Sequence, residues 1–227
     1  MTGEMHAMTA ERTTRRRTRA PRHTLDRAAI AAAALELMDE DGVRALTIRS
    51  LAARLGVAPM ALYNHVSTKE DILDAAREHG LARLPTADSG VDGGPWWERI
   101  RHINLTLHRA LREHPSLVTL LVARPLAGQA PIGAAEAQLR VLVEAGFTPE
   151  HAARAHLTLL HYAIGAAAWS SPRVESPDEG RAVLAQLPAD RYPTLAALTG
   201  PLAEASYDDK QYAYGLDLLL AALRAPA

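Results

Sequence analysis

Residues 46–69 of this chain, LTIRSLAARLGVAPMALYNHVSTK, decide its fold. Thr47 is a suitable N-cap for a helix over residues 48–55, whose apolar side chains recur with helical spacing. Gly56 can adopt the positive φ of a tight turn, and Pro59 suits the first turn of a second helix, which we expect to run to about residue 65. Two short helices joined in this way predict a helix-turn-helix, whose second helix enters the major groove of DNA.

The side chains of this motif that face away from its core are the candidate DNA contacts. Leu62 and Val66 are four residues apart and belong to the core, which leaves the solvent face of residues 59–65 for the groove. Small apolar side chains there can contact thymine methyl groups. Asn64 can pair with adenine, and Arg49 can bind guanine through two hydrogen bonds.

Contacts to the DNA backbone are expected from the same surface. Tyr63 and His65 can donate hydrogen bonds to phosphates, and Thr47 and Lys69 lie at helix N-termini, where phosphate binding is favoured. The residues predicted to contact DNA are Thr47, Arg49, Pro59, Met60, Ala61, Tyr63, Asn64, His65 and Lys69.

Three of these assignments have an alternative that stays open. Tyr63 could be a packing residue, and Arg49 could pair with an acidic side chain on the surface. The residues also do not decide whether Asn64 or His65 contacts a base.

Helical patterns continue on both sides of the motif. Residues 25–41 predict an amphipathic helix with Thr24 as its N-cap and Gly42 at its end. Ser67 and Glu70 have the spacing of a capping box. This box predicts the start of a helix over residues 69–84 that links the motif to the rest of the chain.

The remainder of the chain is also helical in pattern. Residues 126–131 are expected to be a loop, as is most of the proline-rich segment 171–201. No segment has the alternation of a strand, so the fold class is predicted to be all-α. The predicted helices cover residues 96–114, 115–123, 132–145, 149 to about 171, 179–187 and 208–224.

Charge is balanced over the whole chain, with a formal net charge of −1, but it is unevenly distributed. Residues 12–27 contain seven arginines and a single aspartate. Residues 1–23 lack hydrophobic periodicity and are expected to be a disordered basic arm. Two interpretations stay open: a solubilising tail, or a segment that contacts phosphates or the minor groove beside the motif.

Composition excludes several classes of protein and site. The chain has no cysteine, which excludes disulfides and cysteine-ligated metals. No apolar run approaches the roughly 18 residues of a membrane span, and no signal-peptide pattern is present, so a cytoplasmic protein is expected. None of the ten histidines are four residues apart, and no catalytic motif occurs. We therefore expect solvated or core histidines, no metal, no cofactor and no enzyme.

The pattern G-x-x-x-L-T-x-R-x-L-A-x-x-L-G-V, followed by L-Y-x-H-V and then K, resembles the TetR family of bacterial repressors, and its tetracycline repressor branch in particular. The resemblance implies a three-helix DNA-binding domain over residues 24–70, joined by the linking helix to a larger helical domain over residues 71–227. In the family, that second domain dimerises and holds an effector. The pattern is met by Gly42, Leu46, Thr47, Arg49, Leu51, Ala52, Leu55, Gly56, Val57, Leu62, Tyr63, His65, Val66 and Lys69.

A weaker resemblance to the C-terminal domain of that branch continues beyond the linking helix. It implies a homodimer in which the helix from Pro149 and the last helix form a four-helix bundle with their counterparts. Burial within one chain stays the alternative for the small-residue face of the first of these helices, which comprises Ala152, Ala155, Leu159, Ala163, Ala166 and Ala167. The matching residues are Trp97, Glu113, His114, Pro115, Arg124, Pro125, Gln138, Ala145, Gly146, Phe147, Gly165 and residues 214–219.

One departure from the family concerns the effector. Tetracycline repressors bind their drug as a magnesium complex through a histidine, a threonine and a glutamate, and the aligned positions here are Leu120, Ala123 and Trp169, none of which binds a metal. An apolar pocket for a hydrophobic or aromatic molecule is expected instead. Arg124 could anchor an anionic group there or cap the end of its helix. The implied pocket residues are Ile103, Leu107, Leu120, Arg124, Gln138, Leu142, Leu160, His161, Gly165 and Trp169.

The predicted function is that of a DNA-binding transcriptional regulator. We expect a homodimeric repressor that binds a palindromic double-stranded operator and is released by a small, largely apolar effector, with no membrane partner. The alternative is an all-helical small-molecule-binding protein or an enzyme without operator binding. The presence of Arg49, Tyr63 and Lys69 argues against that alternative.

Overall fold

The computed structural model describes residues 25–86, 93–123, 128–169, 177–207 and 210–225. Within these ranges the chain forms α-helices and one 3-10 helix (Val43–Ala45) without any strand, which confirms the all-α prediction. The α-helices are α1 (Arg27–Asp41), α2 (Ile48–Leu55), α3 (Pro59–Leu62), α4 (Lys69–Leu81), α5 (Trp96–Glu113), α6 (Ser116–Ala123), α7 (Gln129–Glu144), α8 (Pro149–Trp169), α9 (Pro177–Ala185), α10 (Pro193–Ala197), α11 (Thr199–Tyr207) and α12 (Lys210–Arg224).

The first four helices share one core. α1 packs along α4 and against α2, and α2 packs against α3. α1 begins at Arg27, later than predicted, because the Asp26 carboxylate accepts a hydrogen bond from the Ala29 N–H at 2.8 Å and caps the helix there. The predicted cap, Thr24, lies outside the described residues. The buried side chains of this core are Ile30, Leu35, Met38, Leu46, Leu51, Leu62, Val66 and Ile72.

The first helix of the helix-turn-helix and the turn after it form as predicted. Thr47 caps α2 by accepting a hydrogen bond from the Ser50 N–H at 3.0 Å, and Ser50 Oγ accepts one from the Thr47 N–H at 2.9 Å. Gly56 has a φ of 66°. Its N–H donates to the Ala53 carbonyl while the Val57 N–H donates to the Ala52 carbonyl, which is the bonding pattern of a Schellman motif.

The second helix of the motif is shorter than predicted. α3 ends at Leu62, and residues 63–65 form a turn in which the His65 N–H donates to the Leu62 carbonyl at 2.9 Å. The His65 bond spans three residues, as in a 3-10 turn, so the backbone tightens here, and the Val66 N–H donates to the same carbonyl at 3.0 Å. Leu62 and Val66 are buried, as predicted.

The capping box of α4 lies one residue later than predicted. Thr68, rather than Ser67, is the N-cap and accepts a hydrogen bond from the Asp71 N–H at 3.1 Å. The Asp71 carboxylate accepts from the backbone N–H groups of both Thr68 and Ser67, at 3.1 and 2.9 Å. The capping box uses Asp71 rather than the predicted Glu70, because the Asp71 carboxylate lies within hydrogen-bond distance of both N–H groups. α4 ends at Leu81, three residues before the predicted end of the linking helix.

Gly80 marks the closest approach between α4 and its neighbours. A Cβ atom on Gly80 would lie 2.9 Å from a methyl group of Leu35 on α1 and 2.9 Å from a methyl group of Leu117 on α6. Both leucines are fully buried. A side chain at position 80 would therefore require the buried side chains of Leu35 and Leu117 to shift.

The C-terminal half packs α5 against α7, α8 and α12, and α8 against α7 and α12. A stack of rings joins three of these helices: His108 of α5 lies 3.8 Å from Tyr212 of α12, which lies 5.0 Å from Tyr162 of α8, centroid to centroid. The Tyr212 hydroxyl donates to the Asn104 carbonyl at 3.2 Å. Burial, assisted by the charge of Arg112, lowers the pKa of His108 to about 4, so its stacked imidazole is neutral at neutral pH.

Prolines begin helices in this half where a loop was predicted. α7 begins at Gln129 rather than at residue 132, with Pro131 as its third residue. The segment predicted to be loop with one short helix forms α9, α10 and α11 in its described part. Pro193 is the first residue of α10 and Pro201 the third of α11. The first-turn N–H groups of a helix have no intrahelical acceptor, so proline costs no hydrogen bond there.

The small-residue face of α8 is used inside the chain. Ala152, Ala155, Leu159, Ala163 and Ala167 are buried, and Ala166 is half-buried. Since α8 packs against α5, α7 and α12, burial within one chain is the correct interpretation for this face. None of the helices in the described ranges has the length and apolar character needed to cross a membrane.

The contrast between buried Leu62 and exposed Met60 on α3 gives a paired prediction. Leu62→Ala removes a fully buried side chain and should lower the free energy of unfolding by about 2–5 kcal/mol. Met60→Ala, on the same helix, truncates a side chain that is 73% exposed and should change it by no more than about 0.5 kcal/mol. Urea unfolding followed by circular dichroism measures both, and equal effects of the two substitutions would contradict the packing described here.

Candidate DNA interface and ligand cavity

The residues predicted to contact DNA lie on the surface of the N-terminal unit. Met60 is 73% exposed and Tyr63 is 50% exposed. Ala61 is half-buried. The other predicted contacts, Thr47, Arg49, Pro59, Asn64, His65 and Lys69, are all exposed.

Thr47 has a second role that limits its freedom. Its hydroxyl is held at the N-terminus of α2 by Ser50, whose own Oγ donates to the Ala45 carbonyl at 2.8 Å. These bonds connect the cap of α2 to the preceding 3-10 turn. Arg49, the second residue of α2, is therefore placed by a rigid helix start rather than by a loop.

An ion-pair cluster that sequence reasoning missed fixes α2 to α1. The Arg54 guanidinium forms two hydrogen bonds of 2.6 Å to the Glu40 carboxylate and one of 3.2 Å to Glu36. Its guanidinium lowers the pKa of the Glu40 carboxyl below its usual range. A signal was present in the sequence, because Glu36 and Glu40 are four residues apart and face the same side of α1.

The end of α3 is also tied to α1. The Arg27 side chain donates to the His65 carbonyl at 3.4 Å. Arg27 had been counted with the basic arm, and the structure places it instead in the first turn of α1. Buried Leu62 thus anchors α3 itself, and Arg27 holds the turn that follows it.

Asp39 joins the N-terminal unit to the C-terminal half. Its Oδ2 lies 2.8 Å from His114 Nδ1, and its Oδ1 accepts hydrogen bonds from the Ser116 N–H at 2.9 Å and from the Ser116 hydroxyl at 2.5 Å. Ser116 is the first residue of α6, so a carboxylate of α1 caps a helix of the other half. We refer to this contact as the Asp39 joint.

Glu78 makes a second connection of the same kind. Both of its carboxylate oxygens accept a hydrogen bond from the Ala130 N–H, at 2.8 and 3.0 Å. Ala130 lies in the first turn of α7, and the N-cap of that helix is Gly128, which has no side chain to cap it. A carboxylate on the linking helix α4 therefore satisfies the N-terminus of α7, and we refer to this contact as the Glu78 joint.

A cavity of about 50 Å³ lies between α4, α5, α6, α7 and α8. Its walls are apolar except for two polar side chains, Gln138 of α7 and His156 of α8. Burial lowers the pKa of His156, so the imidazole is neutral at neutral pH. The apolar lining residues are Leu81, Leu84, Ile103, Leu107, Leu121, Pro131, Ala134, Ala135 and Leu160.

The structure brings only some of the expected pocket residues together. Four line this cavity: Ile103, Leu107, Gln138 and Leu160. Leu120 and Leu142 are buried but do not line it, and Arg124 lies outside the described residues. His161, Gly165 and Trp169 recur every four residues along the exposed side of α8, so in a single chain they point away from the cavity.

The positions aligned with the magnesium ligands carry no metal-binding groups. Leu120 is buried, whereas Ala123 and Trp169 are exposed. Across the described ranges, no three histidine, aspartate or glutamate side chains lie close enough together to hold a metal ion.

His156 is the polar lining residue that sequence reasoning missed, because it was grouped with solvated or core histidines. Its spacing of four residues from Leu160 places both on one face of α8, and that spacing was the available signal.

Comparison with known proteins gives a consistent result over the whole chain. A family model described as bacterial regulatory proteins, tetR family, matches residues 30–76, and one described as tetracyclin repressor-like, C-terminal domain, matches residues 90–226. An HTH-type transcriptional regulator of Saccharopolyspora erythraea is 38% identical over 174 residues, which is 74% of this chain and 72% of that protein. The class D tetracycline repressor protein of Escherichia coli is 30% identical over 86% of this chain and 88% of its own.

Solved structures agree with the sequence matches. The TetR family protein ActR of Streptomyces coelicolor, in complex with (S)-DNPA, superposes with a TM-score of 0.72 at 29% identity. That match covers 89% of this chain and 98% of the ActR chain.

The Asp39 joint leads to a prediction about how the two halves unfold. Asp39→Ala leaves the polar groups of His114 and Ser116 without their acceptor and should lower the free energy of unfolding by about 1–3 kcal/mol. Asp41→Ala, on the exposed surface of the same helix, is the control and should change it by no more than about 0.5 kcal/mol. Differential scanning calorimetry measures both, and equal stability of the two variants would show that the joint contributes nothing.

Proposed function

The chain belongs to the TetR family of bacterial transcriptional regulators, and from this premise we propose that it is a dimeric repressor, released from a palindromic operator by a small, largely apolar effector. Members of this family bind operator DNA and small-molecule effectors and act as dimers. The chain is a DNA-binding regulator rather than an enzyme. A cytoplasmic location is part of the proposal, because that is where an operator is accessible.

The exposed face of α3 is the observation that carries the proposal. Met60 and Tyr63 are held outward on a helix whose other side is anchored by Leu62. In a helix-turn-helix, the outward-facing side chains of the second helix are the ones that contact base edges. In the proposed complex, Met60 and Ala61 contact thymine methyl groups, and Pro59, the first residue of α3, lies at the groove.

The polar contacts are assigned by their positions around α3. Arg49, at the start of α2, binds guanine, and Asn64 pairs with adenine in the same groove. Residues near the edges of this surface bind phosphates and set the register of the protein on the duplex. The proposed phosphate contacts are Thr47, Tyr63, His65 and Lys69.

The proposed dimer uses the faces of α8 and α12 that remain exposed in one chain. Leu157 and Trp169 on α8 are 49% and 63% exposed, and Tyr214 and Leu218 on α12 are 62% and 56% exposed. A two-fold axis at these helices gives two α3 helices per assembly. Half-sites of a palindromic operator one helical turn apart, about 34 Å, or a multiple of it, match such a pair.

In the proposed mechanism, effector binding in the cavity displaces α4 and thereby the DNA-binding surface. It holds about 50 Å³, whereas pockets for drug-sized ligands hold about 300–1,000 Å³, so a larger effector must move the walls apart. Leu81 and Leu84, at and just after the C-terminal end of α4, form one wall. α4 starts at Lys69, directly after the helix-turn-helix, so its displacement moves the DNA-binding surface. An effector that binds better to the displaced state shifts the population away from the operator-bound state.

Operator binding has a direct test in the DNA upstream of the protein's own gene. We expect a specific complex at about 0.15 M salt with competitor DNA present. Arg49→Ala should weaken it by about 1–3 kcal/mol, on the order of 10- to 100-fold in Kd. Arg109→Ala, an exposed arginine of α5, is the matched control and should leave the Kd unchanged.

Fluorescence anisotropy measures these dissociation constants. Absence of a specific complex for the wild-type chain on any fragment flanking its gene would remove the regulator assignment. Equal weakening by both arginine substitutions would remove Arg49 from the base contacts.

Metal dependence gives a further prediction. Because Leu120, Ala123 and Trp169 replace the ligands of magnesium, tetracycline with up to millimolar Mg²⁺ should not release the operator complex, and excess chelator should not change operator affinity. The same anisotropy assay with and without EDTA measures this. Release by tetracycline that disappears on adding EDTA would contradict the metal-free pocket.

A further inference from the structure

Each of the two polar residues that line the cavity, Gln138 and His156, carries a side-chain nitrogen with no hydrogen-bond partner within the described chain. These nitrogens are Nε2 of Gln138 and Nδ1 of His156, and both are fully shielded from solvent. Gln138 as a whole is only 5% exposed. Buried polar groups in proteins almost always have partners, and these two nitrogens belong to the only polar side chains among the described residues that line the cavity, so a ligand that opens the cavity can satisfy both.

The chemistry of these atoms specifies what that ligand carries. The amide nitrogen of glutamine only donates, so the group facing Gln138 must be a hydrogen-bond acceptor such as a carbonyl or ether oxygen. A neutral imidazole has one donor and one acceptor nitrogen. A hydroxyl group satisfies His156 in either tautomer, because it can both donate and accept.

The other lining residues determine the polarity and charge of the rest of the ligand. The nine other lining residues are aliphatic side chains, alanine or proline, and no lysine, arginine, aspartate or glutamate lines the cavity in the part of the chain that the structure describes. A charged ligand would lose its hydration there without gaining an opposite charge.

We propose that the effector is an uncharged, mainly apolar molecule with a hydrogen-bond acceptor for Gln138 and a hydroxyl group for His156. This proposal rests on the proposed function, in which the same cavity receives the effector. It adds that Gln138 and His156 select the ligand, while the apolar walls accept any molecule of suitable size.

A matched set of probes tests the selection. The meta and para isomers of (hydroxymethyl)acetophenone carry the acceptor and the hydroxyl on an apolar ring. The corresponding (hydroxymethyl)benzoates add a negative charge, and the diethylbenzenes lack polar atoms. We expect at least one ketone isomer to bind about tenfold tighter than its benzoate and its hydrocarbon counterparts in ligand-observed NMR titrations, as a satisfied buried hydrogen bond requires.

Variants of the two polar residues test their roles. Gln138→Leu and His156→Leu should each remove the preference for the ketone and leave hydrocarbon binding unchanged or tighter. The controls are Gln186→Leu and His102→Leu, which alter exposed residues of the same types and should leave every titration unchanged.

Unfolding measurements without ligand separate ligand selection from a structural role. Because Nε2 and Nδ1 are unpaired in the cavity, the two leucine variants should unfold at the same or a higher midpoint than the wild type. Lower midpoints for both variants would overturn the proposal. So would equal or tighter binding of the hydrocarbons or benzoates by the wild type, or no detectable binding of any probe at millimolar concentration.

The anisotropy assay distinguishes this proposal from the proposed function. Both leucine variants should bind the operator as the wild type does when no probe is present. If the wild type forms no operator complex, the regulator assignment fails while the titration results stand. If operator binding is intact and the ketone preference is absent, only the ligand class fails.

Discussion

The close approach of α1, α4 and α6 at Gly80 determines how the two halves of this protein meet. A side chain at that position would collide with Leu35 on one side and Leu117 on the other. α4 packs into the N-terminal core through Ile72, and its Leu81 is buried and lines the cavity of the C-terminal half. One helix therefore belongs to both cores, and movement of its C-terminal end cannot leave the N-terminal unit unaffected.

The rigid and the adjustable parts of the molecule are built from different interactions. The helix-turn-helix is held by buried leucines, a Schellman turn at Gly56 and the ion pairs of Arg54 with Glu36 and Glu40. The cavity between α4 and α8 has walls that are apolar except for Gln138 and His156, so most of its lining contacts are non-directional. The Asp39 and Glu78 joints cross between these regions, so they set how far the cavity can open before the polar contacts to the N-terminal unit break.

Sequence reasoning succeeded where a backbone requirement or a period specified one answer. Gly56 and Thr47 allowed the turn and the helix start to be placed correctly. It failed where two neighbouring residue pairs had the same capping pattern. Ser67 with Glu70 and Thr68 with Asp71 both fit a capping box, and the sequence does not show that the second pair forms it. Prolines in the segment before α12 were taken as helix breakers although the first turn of a helix tolerates them. The Arg54 pairs and His156 depend on which helices become neighbours, which no local pattern reports.

The Glu78 joint has a consequence for the concentration at which an effector acts. In the proposed mechanism, outward movement of α4 separates Glu78 from the Ala130 N–H at the N-terminus of α7, whose N-cap Gly128 has no side chain to replace that bond. In the proposed mechanism, this cost disfavours the opened state in the absence of ligand and so limits release of the operator without effector. The same contact raises the dose of ligand needed for half-maximal response, since part of the binding free energy is used to break it. In the proposed mechanism, a stronger contact of Glu78 with α7 therefore gives less transcription without ligand but also a lower sensitivity to the ligand.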